Sequence, residues 1–373
     1  MLTGATGLVG MEVLARYLEG SERRICALVR ADCWEQAAER VDGTLATLFG
    51  EANGYADRVL AVPADIEAED LGLNQHDRRW LADEVTDVIH CAASVSFSQT
   101  LSRARQINVD GTRRMLELAE LCQQRGGLHR FSHVSTAYVA GTHAGRFSEH
   151  QLDVGQDFHN TYERSKFEAE QLVDTYRSRF PIQVLRPSII VGERKTGWTV
   201  SFNVLYAPLK AFARGAFIAL PGRRSAPVDV VPVDYVADAV FELANRPLTA
   251  DGEGRDETYH LVAGQDASTV GDLVGLSARY FDRRPPRLFP PWIYRRLLHP
   301  LLVWTSRGKR RRSLRSSEVF FPYFAGQVRY DNRNARRRLE PAGIHSMPIE
   351  RYFDRLAGFA VATRWGREPR SRR

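Results

Sequence analysis

The chain contains no run of roughly eighteen or more apolar residues, so no membrane-spanning helix is expected. Its N-terminus lacks a basic region followed by an apolar stretch, so no secretory signal is expected. Cysteine is scarce. Cys26, Cys33, Cys91 and Cys122 form no CxxC pair and read as reduced, buried thiols of a cytosolic protein. No residues show metal-ligand spacing; His90, beside Cys91, reads as a packed core histidine, and no metal is expected. Internal repeats and long Gly/Ser linkers are absent. Lysine is nearly absent, at positions 166, 195, 210 and 309 only, so arginine carries almost all of the positive charge.

That charge is unevenly placed. Residues 281–373 hold 23 basic and 7 acidic side chains, a balance of +16, against 29 basic and 38 acidic in the remainder, a balance of −9. A basic tail on an acidic body points to an anionic partner for the tail, with drift in composition as the plain alternative. No nucleic-acid recognition motif accompanies it, so nucleic acid is not expected.

Through residue 265, short apolar runs alternate with helical patterns. Strands are predicted at 24–30, 58–65, 85–93, 129–136, 181–192 and 257–264, and helices at 7–19, 34–48, 104–125 and 158–179. That rhythm implies βαβ units and a parallel, doubly wound sheet. Beyond 265 the alternation stops. Paired prolines (Pro285, Pro286, Pro290, Pro291), an Arg-rich run and a final helical pattern at 348–363 suggest a smaller, mainly helical part over 266–373.

Within "TGATGLVG", Gly4, Gly7 and Gly10 stand where a first strand should turn into a first helix. A pyrophosphate can rest on such a helix N-terminus only where glycine lets the backbone approach. Arg30, at the end of the second strand, stands where an acidic residue would grip a ribose 2′-hydroxyl. An arginine there suits a 2′-phosphate, hence NADPH over NADH, with nearby Asp32 the argument for NADH. Only Met1 and Leu2 precede the loop, so the first strand is expected to be cut short and the true start to lie a few codons upstream.

Several stretches then appear in order: "TGATGLVG", "ALVRA", "ADIEAEDLGL", "HCAASVSF", "NVDGT", "HVSTAYV", "YERSK", "LRPSIIVGERKTGW" and "VPVDYVADA". Together they resemble the extended short-chain dehydrogenase/reductases, and more narrowly the fatty acyl-CoA reductase and thioester reductase branch, over roughly residues 1–265. "FFPYFAGQVRYDNRNARRRL" (320–339) is similar to the C-terminal region of acyl-CoA reductases. The resemblance implies a Rossmann-type NAD(P)-binding domain over 1–265, with 193–228 contributing to the substrate side, and a substrate or membrane-facing region over 266–373.

It also implies residue roles. Tyr162 would donate a hydrogen bond or proton to the substrate oxygen, and Lys166, on the same helix face, would lower its pKa and hold the nicotinamide ribose. Thr136 would hydrogen-bond the substrate carbonyl, with Ser135 as the fallback and Ser94 nearby. The cofactor would lie on Gly4, Thr6, Gly7, Leu8, Val9 and Gly10, with Arg30 at the ribose and Asp65 and Ile66 at the adenine. Ala92, Ala93 and Asn108 would pass beneath it, and Pro187 and Ile189 would border the nicotinamide. Asp65 read alone is equally a helix cap, and Asn108 a local turn residue.

The implied reaction is NADPH-dependent reduction of a fatty acyl thioester, on coenzyme A or an acyl-carrier protein, to an aldehyde and then optionally an alcohol. A sugar-nucleotide epimerase/dehydratase or a hydroxysteroid-type dehydrogenase would use the same Tyr and Lys. A catalytically silent NADP-binding regulator is the alternative of another class. "PPWIYRRLLHPLLVWTSRGKRRRSLR" (290–315) mixes aromatics, leucines and the cluster Arg307, Lys309 and Arg310–Arg312. It is read as a peripheral membrane contact or a flap over the acyl chain of a cytoplasmic, optionally membrane-associated protein.

Overall fold

A computed structural model describes every residue except 52, 53, 203, 218, 249–255, 306, 307, 309, 310, 312–317, 369 and 373. Seven parallel strands make the central sheet: β1 (Leu2–Thr3), β2 (Ile25–Val29), β3 (Val59–Pro63), β4 (Asp87–His90), β5 (Arg130–Val134), β7 (Ile182–Pro187) and β12 (Thr258–Leu261). Their order is β12-β7-β5-β4-β1-β2-β3, so the chain winds outward in both directions from β1 and β4. This is the doubly wound α/β arrangement, with its crevice where the winding reverses. These strands are largely buried on both faces because helices cover both.

On one face lie α1 (Leu8–Gly20), α2 (Trp34–Phe49) and α8 (Val233–Asn245), joined in a core that includes Val13, Leu14, Val41, Val236 and Val240. On the other, α3 (Gln75–Glu84), α5 (Gly111–Arg125) and α6 (Thr161–Asp174) close over Leu81, Met115, Leu116, Phe131 and Val173.

The predicted strand at 181–192 is two strands, β7 and β8 (Ile189–Val191), and only β7 belongs to the central sheet. β8 turns away to pair with β11 (Val230–Pro232). The helix predicted at 104–125 begins at α4 (Leu101–Arg105) and passes through a π-helical turn, Gln106–Asp110, before α5. β1 is two residues long and still sits mid-sheet, with Leu2 opposite both Ala27 and Ile89. Ile25, Cys26 and Asp87 lie beyond its register and border a cavity of about 240 Å³ at Met1.

Residues past 265 weave into the earlier ones. β13 (Ser268–Thr269) pairs antiparallel with β10 (Pro227–Val228). β14 (Arg287–Phe289) runs beside β9 (Ala219–Pro221), and β15 (Gln327–Tyr330) beside β6 (Ala144–Phe147). α7 (Tyr206–Ala213) and α9 (Val270–Tyr280) share a further core with Tyr352, Phe353 and Leu356. Buried Glu149 accepts the backbone N–H groups of His260, Asn334 and Ala335, stitching β12 to the helix Arg333–Leu339. Burial lifts that carboxyl to about 7.

Candidate active site

The glycine loop joins β1 to α1. Gly4 has φ +74°, and a Cβ there would stand 2.9 Å from the backbone N of Ala92. A Cβ on Gly10 would stand 2.1 Å from the Gly4 carbonyl oxygen. Gly7 is the N-cap and carries no side-chain cap, so the first-turn amides at Leu8 and Val9 have no side-chain partner there. This is a cradle in which backbone replaces side chain, and it fits a pyrophosphate. Thr3 Oγ1 accepts the Ala92 N–H at 3.1 Å, holding the β4 loop against it.

Just past the end of β2, Arg30 is exposed, and its carbonyl accepts a bond from Arg40 Nη1. Arg40 Nη2 also reaches Thr6 Oγ1 at 3.5 Å. Arg40 therefore links the end of β2 to the glycine loop. Arg40 escaped notice because an exposed arginine on α2 has the sequence signature of any solvated helix face. Asp32 is exposed, and its N–H is bound by Gln36. Asp65 caps its own turn, accepting the Glu67 N–H at 2.9 Å, and Ile66 packs against Gly111.

Asn108 lies in the π-helical turn and is buried. Its Oδ1 accepts the Ser94 N–H at 2.8 Å, and its Nδ2 donates to the Ser94 carbonyl at 3.0 Å and to Ser165 Oγ at 2.9 Å. It thus joins the Ala92–Ser94 loop to the helix carrying the tyrosine and lysine. Ser94 itself turns its hydroxyl to Gln99 at 2.7 Å.

α6 starts at the N-cap Asn160, whose side chain accepts the Glu163 N–H. Tyr162 lies beside Thr136, and burial pushes its phenol up to about 12. Thr136 Oγ1 accepts the Tyr138 N–H at 3.2 Å and donates to the Pro187 carbonyl at 3.4 Å. Thr136, Tyr162 and Pro187 therefore converge. Ser135, adjacent, is buried with no partner on its Oγ. Ile189 opens β8, one residue past the Ser188 that separates it from β7.

Lys166 is buried, donates to the Val134 carbonyl at 3.0 Å and lies 3.4 Å from His133 Nε2. Burial lowers its pKa to about 8, with Glu170 and Cys91 pulling it back up. Beneath it, His90 is core: it binds Thr3 Oγ1 at 2.8 Å and Thr112 Oγ1 at 3.2 Å, and burial drops it to about 3. Among the described residues no group of three or more His, Cys, Asp or Glu could hold a metal.

A glycine cradle at the switch point of a doubly wound sheet, with Tyr162 and Lys166 one turn apart beside it, defines the extended short-chain dehydrogenase/reductase class of NAD(P)-dependent oxidoreductases. A family model described as Male sterility protein matches residues 2–240, and the chain belongs to that family. Fatty acyl-CoA reductase 1 of Mus musculus is 28% identical over 287 residues, 66% of this chain and 55% of that protein. The chain spans little more than half the length of the first curated relatives it matches. Among solved structures, the terminal R domain of the myxalamid PKS-NRPS pathway is 25% identical with a TM-score of 0.82, over 99% of this chain and 91% of that one. A thiolation-reductase di-domain from an archaeal non-ribosomal peptide synthetase shares the fold at TM-score 0.76, with 20% identity, over 98% and 75%.

Proposed function

We propose that the protein reduces fatty acyl thioesters, carried on coenzyme A or an acyl-carrier protein, with NADPH. The observation that carries this reading is Tyr162 beside Thr136 with the buried Lys166 one turn on along the same helix, donating to the Val134 carbonyl. The reductase names of the relatives support the substrate class.

When bound, NADPH supplies a hydride. The chain's own residues must orient the carbonyl and receive the charge that moves onto its oxygen. A tyrosine held protonated near neutral pH is a donor, as reduction requires, and Thr136 supplies a second hydroxyl in the same place. The Lys166 ammonium favours transfer of the Tyr162 proton to that oxygen by stabilising the phenolate left behind. The carbon gains the hydride and the oxygen gains the proton, giving a hemithioacetal. Its collapse to aldehyde and thiol returns the hydroxyl proton to the leaving sulfur. For the aldehyde to go on to the alcohol, Tyr162 would first have to regain a proton from solvent, so that it could protonate the carbonyl oxygen again as a second NADPH supplied the hydride.

Gly4, Thr6, Gly7, Leu8, Val9 and Gly10 would hold the pyrophosphate, with Asp65 and Ile66 at the adenine. Ala92, Ala93 and Asn108 would lie beneath the cofactor, and Pro187 and Ile189 beside the nicotinamide. Arg30 and Arg40 would meet the 2′-phosphate, which favours NADPH. Leu209, Phe212, Phe217, Leu273, Phe324 and Phe353 line a small apolar cavity of about 60 Å³, whose lining would suit part of an acyl chain.

Among the described residues no helix is long and apolar enough to cross a membrane. Peripheral contact is assigned to the outer face of 291–305, where Trp292, Leu297 and Trp304 are 68%, 62% and 79% exposed. Of the basic cluster that follows, Arg307, Lys309, Arg310 and Arg312 lie outside the described residues.

The test is NADPH oxidation against acyl-CoAs, acyl-carrier proteins, aldehydes and UDP-sugars, with products identified. Aldehyde or alcohol from acyl thioesters is expected. Turnover of UDP-sugars alone would sink the assignment. Tyr162→Phe should lower kcat about a hundredfold or more while the cofactor still binds.

A further inference from the structure

The first turn of α6 carries a buried carboxylate that the chemistry above does not use. Glu163, next to Tyr162, is fully buried. Its Oε2 accepts the His159 N–H at 2.9 Å and lies 3.0 Å from His159 Nδ1. Its Oε1 accepts the hydroxyl of Tyr323 at 2.6 Å. The same hydroxyl accepts from Asn160 Nδ2 at 2.8 Å, so it touches the N-cap and the third residue of one helix. A carboxylate at a helix N-terminus is favoured by the dipole, but a buried one needs donors on its free lone pairs. One of those donors comes from 160 residues further along the chain.

The Tyr323 ring lies among other aromatics. It stacks on Phe97 at 5.8 Å and 23°, meets Tyr138 edge-on at 5.2 Å, and lies 5.9 Å from His159. Phe97 in turn packs on the Tyr162 ring at 5.8 Å. Tyr138 donates its N–H to Thr136, which lies beside Tyr162. One side chain from the Glu318–Phe324 turn therefore meets the catalytic tyrosine by three routes: its helix cap, its ring neighbour and the turn that fixes the threonine beside it.

We infer that Tyr323 is a positioning residue of the reduction. Its hydroxyl on Glu163 and its ring on Phe97 fix the first turn of α6, so that Tyr162 meets the substrate oxygen in a reactive geometry. The substrate-side segment thus completes the active site as well as covering it. Reacting groups misplaced by a fraction of an ångström lose rate without losing affinity for the cofactor. The inference rests on the reductase reading, since it assigns Tyr162 the donor role.

Tyr323→Phe keeps the ring and removes the hydroxyl; Glu163→Gln keeps the shape and removes the charge. Each should lower kcat about tenfold, the scale of one lost hydrogen bond to a charged group, with the NADPH dissociation constant unchanged. The double variant should be no slower than the slower single one, because both act through one contact. Hydrogen exchange of the amides at 161–166 should quicken in Tyr323→Phe without cofactor or substrate. A Tyr323→Phe protein with unchanged kcat, or with unchanged exchange at those amides, overturns the inference. So does a double variant whose losses simply multiply. If the unaltered protein turns over no thioester or aldehyde while exchange quickens as expected, the reductase reading fails and the latch between Tyr323 and Glu163 stands.

Discussion

Asn108 donates to Ser165 Oγ at 2.9 Å, and through that bond the π-helical turn Gln106–Asp110 is tied to the helix bearing Tyr162 and Lys166. Its other two bonds fix both backbone groups of Ser94. Asn108→Ala would leave those half-buried groups without their partner, and should lower stability by about 1–2 kcal/mol. Thermal unfolding measures this. Asn108→Asp, which keeps the acceptor and loses both donors, should also be destabilising. A melting temperature equal to wild type in both variants would mean that Ser94 and Ser165 are held by other contacts.

Arg40 binds the Arg30 carbonyl at the end of β2 and reaches Thr6 within the glycine loop. Replacing either with Ala should raise the KM for NADPH about tenfold or more, the scale of one charge-assisted bond, and leave the KM for NADH nearly unchanged. Steady-state kinetics with both cofactors decides the matter. Equal losses for the two would move these arginines from the 2′-phosphate to a structural role.

Lys166, at about 8, titrates within a working pH range because burial penalises its charge. Its ammonium is the useful form, complete at low pH and lost as pH rises through that value. The rate constant kcat/KM should therefore fall above about pH 8. Lys166→Arg, slower but charged throughout, should keep its profile flat to higher pH. The stability effect has the opposite sense. The folded protein holds fewer protons than the unfolded one between about 8 and 10.5, so this residue makes stability rise with pH across that window. A wild-type profile still level at pH 10 would remove Lys166 from the proton chemistry.

Trp292, Leu297 and Trp304 project from one helical run while Tyr294 and His299 turn inward against Phe321. Vesicles rich in phosphatidylglycerol should sediment with the protein, and Trp292→Ala/Trp304→Ala should reduce the bound fraction by more than half. Added salt should weaken binding too, because the tail is basic. Binding to neutral phosphatidylcholine vesicles that is equally strong would point to insertion alone, without the arginines.

Much of this molecule was legible from local pattern. The βα alternation, the glycine spacing and the Tyr-x-x-x-Lys pair are short-range signals, because strand period, helix period and tight turns each depend on a few adjacent residues. Six predicted strands appear in the sheet, and the tyrosine and lysine stand on one helix as the spacing required. The errors have physical causes. An apolar run at 181–192 hides the point where β8 leaves the sheet, since both pieces are buried and look alike in sequence. The π-helical turn that seats Asn108 leaves no mark on the hydrophobic period.

What remained was decided by pairing across the chain. β13, β14 and β15 are two to four residues long, too short for any periodicity to show, and exist because partners 40 or more residues away complete their ladders. Arg40 beside Thr6, Asn108 on Ser165 and Tyr323 on Glu163 join residues 34, 57 and 160 positions apart. Side chains of these types are ordinary on exposed faces, so nothing in the sequence around them tells which will be buried against a partner. The sequence by itself determined the scaffold and the placing of Tyr162 and Lys166 on one helix face, because those follow from neighbours along the chain. The company that pair keeps was settled only by tertiary structure, because burial and long-range hydrogen bonding are set by the whole packed core.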